Sequence, residues 1–302
     1  MAPLSTAIFV ALWSSFGFLC HYTIFHRIIF RRLFGDVFGF MWLSRQLANM
    51  THGIVFFFFI APSLQFYSLD HLPPLWLRYV MMIPLPLSYL NLFTNLLIAV
   101  NRYCIVKIPL QYKILFARKK TYTAVALSWI LCFILAIPHF TPSCIKENRF
   151  PVGTYMDSLS NPQRFLCEAL PMGIDWFVIT FTILATFLVD LLTLRQLARI
   201  SKDRESLFLH GPLTAECRLC KMIILQQLVS CAGGVSFNIT FFLISTPIDY
   251  SYLSIKCWTI NSVLDGLVVV LWTSNFLKSK ILTKMLLSPK NNVSQLFGTT
   301  LQ

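Results

Sequence analysis

Seven stretches of this chain are each long and apolar enough to cross a lipid bilayer, and no other feature constrains its fold as tightly. A helix rising 1.5 Å per residue needs about 20 mainly apolar residues to cross the hydrocarbon core. The stretches 4–25, 41–67, 75–100, 122–140, 171–194, 222–245 and 255–276 meet that need. The second is the most polar, because Arg45, Gln46, Asn49, Thr51 and His52 crowd its first half. Its second half rests on the run from Phe56 to Phe59 and on Pro62. Lipid gives a backbone amide nothing to bond with, so each run is expected to be helical. The expected fold class is therefore an all-α membrane protein, a seven-transmembrane helix bundle. Composition agrees: 56% of residues are hydrophobic and only 12% charged, where a soluble domain carries about a quarter charged.

Lysine and arginine set the expected orientation. Twenty of the 25 basic residues fall in four regions that share one side of the membrane. These hold Arg27, Arg31, Arg32 and Arg45, then Arg102, Lys107, Lys113 and Arg118 to Lys120. The third holds Arg195, Arg199, Lys202, Arg204, Arg218 and Lys221, and the tail Lys278, Lys280, Lys284 and Lys290. Cytoplasmic loops carry such an excess, so the N-terminus is expected outside and the C-terminus in the cytoplasm. No basic residue precedes the first run, which reads as a signal-anchor and not a cleaved leader. One receptor-like domain over 1–287 and a short cytoplasmic tail over 288–302 follow. Within 277–286, apolar residues alternate with lysines, as in a short helix lying on the inner leaflet.

The net charge of +13 would suggest nucleic acid on a soluble domain. Here the cations sit in connectors between apolar runs, so lipid is the expected partner and nucleic acid is not. Cys217 and Cys220 form a lone C-x-x-C without a second pair at zinc spacing, and the histidines show no metal-ligating grouping. No phosphate loop, nucleophile elbow or paired-carboxylate motif appears, so neither an enzyme nor a cofactor is expected.

The most informative segment is the inner end of the third run. Arg102 follows a long apolar stretch directly and lies at the hydrocarbon edge, where an unpartnered cation costs about 1–3 kcal/mol. Asn101-Arg102-Tyr103 resembles the D/E-R-Y signature of seven-helix G-protein-coupled receptors, with Asn101 in the acidic position. With Cys104 and the segment Pro109-Leu110-Gln111-Tyr112-Lys113-Ile114-Leu115-Phe116, it is similar to the N-R-F/Y-C…P-L-x-Y-x-x-x-F pattern of nematode serpentine receptors of class X (Srx). The resemblance continues from Phe38-Gly39 through Pro62, from Asp175-Trp176-Phe177 through Thr193, and at Leu264-Asp265-Gly266-Leu267, covering about 17–287. Departures are His21, where that family usually has Asn, the absence of Asp or Glu between 37 and 69, and the lack of N-P-x-x-Y after Asn275.

The resemblance implies a chemoreceptor in the plasma membrane of a sensory cell, coupled to a heterotrimeric G protein. Asn101, Arg102 and Tyr103 would be its coupling switch. It also places Cys144 and Cys167 where the family carries a cysteine pair in the second outer loop, with Cys257 an alternative partner. Met81, Leu85, Ser88, Trp176, Phe242 and Trp258, at the outer halves of the runs, would suit a small apolar odorant. Asp175 and Asp190 are, with Asp265, candidates for buried carboxylates; both lie within a turn or two of the ends of the fifth run, so a second reading, that they reach water, stays open. Asp265 is midway along the seventh, and two readings stay open for it: a pocket or switch residue, and a helix-to-helix hydrogen bond. Rival functions are a seven-span transporter or ligand-gated channel, and a receptor-like chain that no longer signals. A transporter should show two related halves with Gly- or Pro-broken helices, and no duplication is visible.

Overall fold

Along the first helix the polar and small side chains turn inward and the leucines turn outward, the reverse of a soluble helix. In α1 (Leu4–Arg31) Thr6, Ser14, Gly17 and His21 are buried, while Leu12 is 66% and Phe30 73% exposed. Leu131 and Phe133 on the fourth span and Phe177 and Leu188 on the fifth are likewise exposed. Hydrocarbon solvates such side chains, so burial inside the bundle is left for groups that need a protein partner. The computed structural model describes residues 4–31, 34, 36–66, 74–141, 166, 170–206, 255–271 and five positions between 224 and 232.

The second span runs from Asp36 to Phe66 as α2 (Asp36–Val55), a wide π turn (Phe56–Ile60) and α3 (Ala61–Phe66). Asp36 places a negative charge at the positive end of that helix. The π turn has a local cause. Pro62 has no N–H and its ring crowds the carbonyl four residues back, and Ala61 bonds instead to the Phe56 carbonyl, five residues back. The third span breaks for the same reason. Between α4 (Leu75–Met82) and α5 (Pro84–Lys107) the Val80 carbonyl would pair with residue 84, which is proline, and accepts from Ile83 N–H at 3.1 Å instead.

After α5 come a short connector helix, α6 (Pro109–Leu115), and the fourth span, α7 (Arg118–Ala136), closed by a 3₁₀ turn over Ile137–Phe140. The fifth span, α8 (Leu170–Ser206), has 37 residues. At 1.5 Å per residue it is about 55 Å long, well over the thickness of a bilayer core. The last described helix, α9, covers 255–271. Several boundaries therefore move: the first span runs on to Arg31, the second begins at Asp36 and the fourth at Arg118. The third span continues to Lys107 instead of ending near 100, and the fifth continues to Ser206, so part of the third inner loop is helix bearing Arg195, Arg199 and Lys202. Periodicity could not end these helices, because nothing in either extension breaks a helix. Of the sixth run only Ile224, Leu225, Leu228, Val229 and Ala232 are described, all helical; the tail helix of 277–286 lies outside the described residues.

The third span is the most buried of the five described in full length and the fourth the least. It supplies Ile98 to one core cluster, with Ile24, Met41, Trp42 and Val125, and Leu87, Tyr89 and Leu90 to another, with Ala48, Cys132 and Val178. Hydroxyls along the spans mostly bond the carbonyl one turn back within their own helix, as Thr94 does to Leu90 and Thr182 to Val178. Such a bond satisfies the hydroxyl within its own helix.

Helices α1 and α9 meet closely at two glycines. A Cβ on Gly17 would lie 3.1 Å from Val263 Cγ2, and one on Gly266 would lie 3.0 Å from Cys20 Cβ and 3.1 Å from His21 Cε1. Gly173, by contrast, has nothing within 4 Å of the added carbon. Gly266→Val is expected to cost roughly 1–3 kcal/mol by overpacking, while Gly173→Ala is neutral or slightly stabilising. Melting temperatures of the detergent-solubilised protein measure both, and an unchanged Gly266→Val protein would mean the two helices do not pack as described.

Candidate functional site

Two polar centres occupy the bundle. The first is built on Arg102, buried on α5 about a turn before its end. Its Nη2 donates to Asp190 Oδ1 at 2.5 Å, and the two side chains are 5% and 7% exposed. Helix α8 brings the carboxylate there because Thr182, Thr186, Asp190 and Thr193 fall at helical spacing on one buried face. Of the two readings open for Asp190, a buried carboxylate and a group reaching water, the structure has the first. The helix runs on past it, so it stays inside and needs a cation. Asn101, fully buried, donates from Nδ2 to the Tyr112 hydroxyl at 3.2 Å and ties α6 to α5. An acid at 101 would compete for the neighbouring guanidinium; with Asn there, the counter-ion comes from another helix. Tyr103 is half-buried beside them.

The second centre links the first, second and last described helices. Arg45 Nη2 donates to Asp265 Oδ1 at 2.6 Å, with side chains 4% and 6% exposed. Arg45 is therefore not a cation of the inner connectors, as the charge pattern suggested, and Asp265 has an ion-pair partner. Next to this pair His21, with no exposure, bonds Gln46 Oε1 through Nδ1 at 2.7 Å and the Ser262 carbonyl through Nε2 at 3.0 Å. The amide of Asn91 donates to Asn49 Oδ1 at 2.6 Å, joining the second and third spans.

Beside this centre lies a cavity of about 120 Å³. Arg45, Asn49 and His52 of α2 form one wall and Asn261 and Asp265 of α9 another. Toward the end that the charge pattern places outside, Ser88 and Tyr89 of α5 and Asp175 of α8 complete it. The Tyr89 hydroxyl donates to Asp175, which also pairs with His139 Nε2 at 3.0 Å. Asp175, Ile179 and Ile183 line the cavity at successive helical turns.

The residues proposed for the pocket divide accordingly. Leu85, Ser88, Trp258 and Asp265 line the cavity. Trp176 does not: one position past Asp175 it is turned about 100° around the helix and lies half exposed on the outer surface. Met81 packs with the cluster around Val10, Val55 and Ile60. Phe242, Cys144 and Cys167 lie outside the described residues, and Cys257 carries a free thiol. Most of the lining residues are polar by type, yet the surface they turn to the cavity is mainly apolar. Sequence reasoning missed His21, Gln46 and the Arg45–Asp265 pair; the available signal was an arginine well inside an apolar run, which requires a carboxylate on another helix.

Apolar helices closed around buried polar pairs define a multi-pass membrane bundle, and squid rhodopsin shares its fold. Its crystal structure superposes with a TM-score of 0.70 at 11% identity, covering 87% of this chain and 75% of that one. The seven-helix architecture is thus of the rhodopsin type. Residues 11–272 match the family described as serpentine type 7TM GPCR chemoreceptor Srx, and the chain belongs to that family. No curated protein matches it.

Removing one member of a buried ion pair leaves an uncompensated charge, at a cost of about 3–5 kcal/mol, whereas replacing both by apolar residues is often nearly neutral. Asp190→Ala alone is expected to lower thermal stability by that order. Arg102→Met with Asp190→Leu should recover most of it. Equal losses in the single and double variants would show that the two charges do not pair.

Proposed function

We propose that this chain binds a small molecule in the cavity of its bundle and signals through a heterotrimeric G protein across the plasma membrane of a sensory cell. The N-terminus is outside and the C-terminus cytoplasmic, as the basic connectors require. One observation carries this reading. The third and fifth spans are clasped at both ends, by Tyr89 and Asp175 beside the cavity and by Arg102 and Asp190 near the inner end. Thirteen residues of α5 separate Tyr89 from Arg102, about 20 Å of helix.

A ligand can shift such a bundle only by its differential affinity for the clasped and open forms. One that binds better when the outer clasp is rearranged favours separation of α5 and α8. The Arg102–Asp190 pair then opens, and a crevice for a G-protein helix forms between the third, fifth and sixth spans. Asn101 and Tyr103 hold Arg102 and the connector helix α6 in register. Leu85, Ser88, Trp258 and Asp265 face the ligand. Cys144 and Cys167 form a disulfide in the second outer loop, which lies in an oxidising compartment. Arg118, Lys119 and Lys120 hold anionic lipid at the inner leaflet.

The test is expression in a cell carrying a promiscuous Gα, with second-messenger output normalised to surface receptor. Asp190→Asn weakens the clasp without removing its hydrogen-bond acceptor. Loss of about 1.4 kcal/mol of preference for the closed form raises the active population, and so basal output, about tenfold. Arg102→Ala should give little output with or without the second substitution. Ligand-gated current in the absence of any G protein, or signalling indifferent to Arg102→Ala, would overturn this reading. Epitope tags at the two ends should label on opposite faces of intact cells.

A further inference from the structure

The fifth span has a second hollow on its other face. This groove, of about 450 Å³, runs along α8 from Leu170 to Thr182, and Phe93 of α5 with Leu131 and Leu135 of α7 closes its remaining sides. Asp175 and Ile179 face the polar cavity, whereas Ile174 and Val178 face the groove. Helix α8 is thus a partition between the two, at the height where Tyr89 bonds Asp175. Leu170 is the first residue of that helix. At 1.5 Å per residue, the distance to Thr182 is about 18 Å, close to one leaflet's share of a ~30 Å hydrocarbon core.

Three observations bear on what fills the groove. Its rim faces lipid: Leu131, Phe177 and Phe181 are 43%, 65% and 56% exposed. Its surface is almost wholly apolar, and the one polar side chain in its lining, Thr182, donates to the Val178 carbonyl of its own helix at 2.6 Å. Its floor is open at Gly173, where an added Cβ would meet nothing within 4 Å, although Gly17 and Gly266 each admit a neighbouring helix. A void at bilayer depth forfeits the dispersion contacts of its lining, and there only hydrocarbon can restore them. A groove touches a chain on several sides, where the outer face of a helix touches it on one.

We propose that the groove binds one acyl chain of an outer-leaflet phospholipid, its head beyond the Leu170 end and its tail reaching Thr182, so that the chain braces α8 against α5 and α7. The outer leaflet follows from the basic connectors. A sterol would bring its hydroxyl to the Leu170 end, where no side chain of the lining could bond it; a phospholipid keeps its own head in water. The proposal rests on the membrane orientation and not on signalling.

The test is photolabelling in nanodiscs of phosphatidylcholine that carries a diazirine partway along one chain, with the labelled positions mapped by mass spectrometry. Label should be several-fold denser on Leu131, Leu135 and 173–182 than on the exposed face of α1 at Leu12 and Leu19. Gly173→Phe fills the floor and should abolish that excess. Even labelling of both faces would overturn the site, because it would show only the passing lipid shell; so would an excess from a diazirine sterol with none from the phospholipid. Melting temperature in detergent gives a second measure. Long-chain phosphatidylcholine should raise it in the native protein, while Gly173→Phe should start higher and gain less. Equal gains in the two proteins would overturn the site. Should that variant fail to fold, the labelling map of the native protein decides alone. Neither measurement needs a G protein, so the signalling reading can fail and leave this site standing.

Discussion

A charge or amide at bilayer depth has no solvent to fall back on, and this one constraint organises the whole bundle. Arg45, Arg102, Asp190 and Asp265 are all nearly inaccessible, and each has found its opposite on a different helix. These pairs do more than satisfy themselves. They fix which helices are neighbours and at what height, because a shift of a single turn would leave two charges in hydrocarbon. Apolar packing alone sets no such register, since lipid tails solvate leucine as well as another leucine does.

The third span is where these constraints meet. Its side chains enter two core clusters, its Asn91 reaches the second span, and it holds the fifth at both ends through Tyr89 and Arg102. Two bonds so far apart along one helix fix the height and tilt of the third span against the fifth. The proline break near Ile83 and the π turn before Pro62 both lie toward the cavity end, so irregular backbone of these two spans flanks the cavity.

Membership of the chemoreceptor family sits beside clear individuality. His21, a departure from the pattern that the sequence otherwise resembles, serves as a junction of three helices, bonding Gln46 and the Ser262 carbonyl. An imidazole reaches further than a carboxamide, and Gly266 makes room for it, its missing Cβ lying within 3.2 Å of the ring. Asn101, which agrees with the N-R-F/Y-C pattern, bonds Tyr112. The arginine is thereby left to a carboxylate on α8.

The spans were legible in the sequence because the energetic demand behind them is local: about 20 apolar residues must be consecutive. The same holds for Arg102 as the residue to watch, whereas the breaks at Pro62 and Pro84 were not read from the sequence. The partners were not legible. Asp190 and Asp265 are 88 and 220 residues from the arginines they pair with, and helical periodicity says which face a residue is on but not which helix that face meets. Only tertiary packing brought Arg45 inside, turned Trp176 outward one position from Asp175, and set asparagines beside Tyr89 and Trp258 in the cavity wall. The order of residues determined that this chain must live in lipid as helices; their arrangement around the third span decided which charges neutralise each other and what is left to meet a ligand.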